Sequence, residues 1–135
     1  MMIYGIGTDI VEIARIQQSL ERFGERFAKR ILSVHEFTEL MKLNESAGAS
    51  QVAARFLARR FAAKEAVAKA LGLGIRQGLA FNQIGISHDA IGKPEVVYSG
   101  AALTRVRQAR VTQSLISLSD ERDYAVAFAI LTQDA

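Results

Sequence analysis

The sequence predicts an α+β fold, with helices packed on a mostly antiparallel sheet, and three features predict it. Apolar residues recur at helical spacing over most of the first half of the chain, up to Gly72. After Gly78 the pattern changes to short runs rich in β-branched and aromatic residues, separated by turn residues. The last run alternates Tyr124, Val126, Phe128 and Ile130 with alanines, so one face is bulky, the other small, and both need cover.

In chain order, Ile3 to Ile10 reads as a buried strand ending at a turn, with Asp9 near its end. From Val11 to Leu43 the apolar residues Ile13, Ile16, Leu20, Phe23 and Phe27 fall three or four apart, and Gly24 and Ser33 divide the stretch into shorter helices. Asn44 to Ser50 is a small, polar loop. Val52 to Leu71 is the strongest helix, alanine-rich, with Val52, Phe56, Ala63, Val67 and Leu71 along one stripe and Gly72 placed to stop it. Phe81 to Ser87, Glu95 to Tyr98, Ser114 to Leu118 and Tyr124 to Leu131 read as strands, and Gly100 to Arg110 as a short helix. His88 to Pro94 and Ser119 to Asp123 are the turns.

The chain has 135 residues, half of them hydrophobic, which suits a single domain spanning 1–135 with one core. No unbroken apolar run reaches membrane-spanning length and the first residues lack a basic, greasy leader, so the expectation is a cytoplasmic protein without membrane contact. Without cysteine there are no disulfides, thiolate metal sites or cysteine nucleophiles. With only two histidines, His35 and His88, carboxylates are the better metal ligands. The net charge of +3 hides a segregation: residues 15–30 carry +3 and residues 51–71 carry +4. Two basic helical segments call for anionic partners. Nucleic acid is disfavoured, because tryptophan is absent, aromatics are few and no stacking platform with interleaved charge is visible.

Two constellations carry chemistry. In Gly5-Ile6-Gly7-Thr8-Asp9-Ile10-Val11-Glu12 the third glycine of a dinucleotide fingerprint is missing, and an aspartate stands where phosphates would approach. Asp9 is then either a hard oxygen ligand at the end of a strand or the cap of the following helix. In Arg60-Phe61-Ala62-Ala63-Lys64-Glu65-Ala66-Val67-Ala68-Lys69, Glu65 is the only acid of a long basic helix and shares a face with Phe61 and Lys69. It reads either as a Mg²⁺ ligand beside phosphate-binding lysines or as a surface pair with Lys69.

These two motifs, Gly5 to Arg15 and Arg60 to Gly72, closely resemble the signatures of the holo-acyl-carrier-protein synthase family of phosphopantetheinyl transferases. Gly74-Ile75, Gly78-Leu79-Ala80-Phe81, Gly92-Lys93-Pro94 and Ser117 to Ala125 follow in the family's order and spacing, so the resemblance covers nearly the whole chain. It implies an enzyme that moves the 4′-phosphopantetheine arm of coenzyme A to a serine of an acidic apo-acyl-carrier protein, releasing 3′,5′-ADP and activating the carrier for fatty acid biosynthesis. It implies Mg²⁺ as cofactor, held by Asp9 and Glu65, and coenzyme A phosphates held by Lys64 and Lys69, with Arg60 a further candidate. Asp9, Glu65 and Lys69 become the catalytic set. The attacking hydroxyl belongs to the carrier, so the enzyme needs no nucleophile of its own. Arg15, Arg22, Arg26, Phe27 and Arg30 match the surface on which the carrier docks, and a homotrimer with active sites at subunit boundaries is implied.

One departure stands out. Many relatives place a histidine two residues before the position of Ser117, where this chain has Leu115. The acceptor of the serine proton is left open among Glu65, a metal-bound water or hydroxide, and His35.

Overall fold

A computed structural model of the chain describes residues 1–45, 49–75 and 78–134. It begins with strand β1 (Met2–Glu12), followed by helices α1 (Ile13–Phe23), α2 (Glu25–Ile31), α3 (Val34–Leu43) and α4 (Ala49–Ala70). The divisions fall at Gly24 and Ser33, as expected. Gly24 takes φ +58, a conformation costly for other residues, and Ser33 caps α3. Val11 and Glu12 are not helical; they stay in β1, paired with Ala125 and Tyr124. Of the expected loop Asn44 to Ser50, residues 46–48 lie outside the described residues, and Ala49 and Ser50 already belong to α4. Past α4, Gly72 at φ +90 donates its N–H back to the Lys69 carbonyl at 2.9 Å, and the helix stops.

The second half holds β2 (Ile84–His88), β3 (Pro94–Tyr98), α5 (Gly100–Gln108), β4 (Gln113–Asp120) and β5 (Tyr124–Gln133). Phe81 to Gln83, expected as strand, form a single 3₁₀ turn. The carbonyls of Phe81 and Ile84 turn toward the Lys64 ammonium of α4, and the Gln83 side chain takes up the Ala80 and Ala102 N–H groups. The turn after β2 follows its sequence signal: Asp89 Oδ1 accepts the N–H groups of Ile91 and Lys93, and Gly92 sits at φ +86.

All pairings among the described residues are antiparallel: β1, β5 and β4 form one sheet with β5 in the centre, and β2 and β3 a separate hairpin. Helix α4 lies across the three-stranded sheet with α1 to α3 on its other side. It is therefore buried almost all round rather than along one stripe, and Val52 of the expected stripe is exposed whereas Ala54, Leu57 and Ala58 are enclosed. Alanines and glycines let strand and helix approach closely: a Cβ on Gly5 or Gly7 would collide with the carbonyl oxygens of Ala70 or Ala66. This contact fixes β1 on α4.

The alanine face of β5 (Ala125, Ala127, Ala129) is buried. Its bulky face stays open among the described residues: Phe128 is 43% exposed, and Ile10, opposite Val126 on β1, is 63% exposed. No helix among the described residues is long and apolar enough to cross a membrane.

Candidate active site

Asp9 lies within β1, three residues before the backbone of Glu12 opens α1, and so does not cap that helix. By the alternation of the strand it shares the α4-facing side with Gly5 and Gly7. Its Oδ1 accepts a hydrogen bond from Lys69 Nζ at 3.1 Å, and the same ammonium donates to the Thr8 carbonyl at 3.0 Å. Glu65, one turn before Lys69, makes no ion pair with it among the described residues; Lys69 reaches across to the strand instead. The surface-pair reading of Glu65 and Lys69 is thereby replaced by a contact between helix and strand.

Asp9 and Glu65 line one open cavity of about 610 Å³, together with Arg15, Arg22, Phe27 and Phe61. Burial and then the charge of Asp9 raise the proton affinity of Glu65, which Lys69 partly offsets. Among the described residues no group of three His, Cys, Asp or Glu side chains converges as a metal site, although Glu12 also lines the cavity. Phe61 stacks on Phe81, ring centroids 5.1 Å apart, and firms one wall.

None of the expected phosphate contacts lines this cavity: Lys69 stands beside Asp9, and Lys64 and Arg60 are turned inward. Lys64 is closed to solvent and its ammonium donates to Glu36 Oε1 at 2.5 Å, to the Ile84 carbonyl at 2.7 Å and to the Phe81 carbonyl at 3.2 Å. All three of its protons are thus used inside the protein. Arg60 is 3% exposed, lies over the Phe56 ring, and faces Glu36 at 3.3 Å and Glu39 at 3.6 Å. Burial lowers the pKa of both cations and Glu36 opposes it in both. Lys64 and Arg60, expected to hold phosphate, point into the protein, because neighbours on a helix point in different directions. Their shared partner, Glu36, was missed. Its signal was the capping box Ser33-Val34-His35-Glu36, in which Glu36 Oε1 accepts the Ser33 N–H at 2.9 Å.

The docking candidates lie on α1 and α2. Arg15 and Arg22 reach the cavity from α1 and Phe27 from α2, whereas Arg26 and Arg30 are exposed on α2 outside it. His35 is exposed and pairs with Glu39 at 3.3 Å, and His88 is exposed at the end of β2; neither lines the cavity. Leu115 sits on β4, separated from β1 by β5.

The family model for the 4′-phosphopantetheinyl transferase superfamily matches residues 5–129. The chain is 52% identical to a holo-[acyl-carrier-protein] synthase of Halorhodospira halophila, over 96% of this chain and 98% of that protein. It superposes on the crystal structure of the synthase from Neisseria meningitidis with a TM-score of 0.83 and 44% identity, covering 98% of this chain and all of that one. The Bacillus anthracis synthase, in complex with coenzyme A (3′,5′-ADP), matches with a TM-score of 0.78 and 33% identity over 99% of this chain and 100% of that chain.

Proposed function

The chain belongs to the 4′-phosphopantetheinyl transferase superfamily, and from that premise we propose that it works as a holo-acyl-carrier-protein synthase through Asp9, Glu65 and Lys69. It transfers the 4′-phosphopantetheine arm of coenzyme A to a serine of apo-acyl-carrier protein. The serine Oγ forms a bond to the phosphorus that carries pantetheine, the phosphoanhydride bond breaks, and 3′,5′-ADP leaves.

The observation that carries the residue assignment is the convergence of Asp9 and Glu65, from a strand and a helix, on one cavity. Two hard carboxylates fit Mg²⁺, which takes one or two such ligands and completes its shell with waters and substrate phosphates. Asp9 and Glu65 would hold the ion, which there would supply positive charge to the pyrophosphate of coenzyme A. Lys69 adds an ammonium on a flexible stem at the same edge, suited to a phosphate oxygen. Among this chain's residues Glu65, which lines the cavity, is the candidate acceptor for the serine proton, whereas His35 lies outside it.

A carrier helix rich in acids has Arg15 and Arg22 at the cavity, Arg26 and Arg30 beyond it, and Phe27 as an apolar anchor among them. We assign the exposed apolar face of β1 and β5 to a homotrimer, and residues 1–135 to a single cytoplasmic transferase domain. The test is chromatography of 3′,5′-ADP released from coenzyme A. Release that needs both apo-carrier and Mg²⁺ and stops with EDTA supports the reading; release unaffected by EDTA contradicts the metal assignment.

A further inference from the structure

Lys69 has its ammonium on the carboxylate that would hold a metal at Asp9. It lies 3.1 Å from Asp9 Oδ1 and 3.0 Å from the Thr8 carbonyl, and its side chain is 50% exposed against 16% for Asp9. The carboxylate is thus sheltered and fixed on a strand, while the cation at its side sits on a long, solvent-facing stem able to swing away. An ammonium in this position occupies Oδ1 and sets a like charge beside any second cation at Asp9.

Resting on the reading of Asp9 and Glu65 as a metal pair, we propose that Lys69 is an exchangeable counter-ion of Asp9. Its ammonium and a divalent cation compete for the carboxylate, and coenzyme A relieves the competition by offering the ammonium phosphate oxygens. The two ligands then favour one another by a common factor, as linkage requires. Metal alone binds weakly and metal with coenzyme A binds tightly, so the site loads the ion together with its substrate. Arg15 lines the same cavity but makes no ion pair with Asp9 among the described residues, and so contributes charge without competition.

The experiment is titration with Mn²⁺ alone, free Mn²⁺ being read by electron paramagnetic resonance, on wild type, Lys69→Met, Arg15→Gln and Asp9→Asn, with circular dichroism confirming each fold. Lys69→Met is expected to bind Mn²⁺ about threefold or more tighter than wild type, the upper part of the range for a partly exposed pair. Arg15→Gln is expected to stay within about twofold, and added coenzyme A to raise Mn²⁺ affinity by a smaller factor in Lys69→Met than in wild type. Unchanged or weaker Mn²⁺ binding in Lys69→Met, with Asp9→Asn weakened, overturns the counter-ion and leaves the metal pair standing. An equal gain in Arg15→Gln overturns it too, because charge alone would then explain the effect. Wild-type affinity in Asp9→Asn, or no Mn²⁺ binding by wild type even with coenzyme A present, overturns the metal reading and the counter-ion with it.

Discussion

Lys64 Nζ lies 2.5 Å from Glu36 Oε1 in a site closed to solvent, tying α4 to α3 in the interior of the protein. The pair is asymmetric. Glu36 also accepts the N–H groups of Ser33 and Ile86 and faces Arg60 at 3.3 Å, so it serves two buried cations, while Lys64 keeps two backbone carbonyls without it. Glu36→Ala is expected to cost about 3–5 kcal/mol, because it strands buried charge. Lys64→Met should cost less and leave the KM for coenzyme A within about twofold, as its ammonium uses all its protons internally. Urea unfolding and steady-state kinetics check this, and a large rise in that KM would return Lys64 to the phosphate site.

Carrier docking and coenzyme A binding are separable. Arg26→Glu and Arg30→Glu are expected to raise the KM for carrier protein and spare that for coenzyme A. Their effect should shrink with added salt, since at 0.15 M exposed charges are screened within about 8 Å. Lys69→Ala should do the reverse. Kinetics with each substrate varied at two ionic strengths decide; a carrier KM untouched by both reversals at low salt would make α2 a solvated face only.

Phe128 and Ile10 stand on an outer sheet face that the described residues leave open. Phe128→Glu is expected to shift the mass seen by light scattering from trimer toward monomer without unfolding the chain. A monomeric and fully active wild type would refute the assembly.

Tyr98 links β3 to β4 through its hydroxyl, 2.7 Å from Ser114 Oγ, and burial raises its pKa above the ordinary 10.0, the hydrogen bond opposing. The folded state therefore holds this proton more tightly than the unfolded chain. The contribution of Tyr98 to stability is full below about pH 10 and is lost as pH rises above it. Tyr98→Phe should flatten that alkaline decline in thermal melts and cost about 0.5–1.5 kcal/mol at neutral pH for the lost hydrogen bond. An unchanged slope would contradict it.

The sequence made the α+β class and the breaks at Gly24, Ser33 and Gly72 legible, because local residue chemistry decides them. Asp9 and Glu65 each had a plain local reading, as a cap and as a surface pair, and only the family resemblance joined them. The structure removes both local readings for reasons far away in sequence: β5 extends far enough to keep Val11 and Glu12 in the strand, and Lys69 crosses to Asp9, sixty positions before it. The inward placement of Lys64 was not legible for the same reason. A lysine in a basic helix looks solvent-facing until Glu36, 28 residues earlier, is seen beneath it.

The most direct test of the account is intact mass spectrometry of apo-acyl-carrier protein incubated with coenzyme A, Mg²⁺ and wild type, Asp9→Ala or Glu65→Ala. The prediction is a gain of one phosphopantetheine with wild type, abolished by EDTA, and a rate reduced by about 100-fold or more in each variant, as for loss of a preorganised electrostatic stabiliser. No mass gain with wild type, or variants within about tenfold of it, would contradict the claim that these two carboxylates carry the transfer.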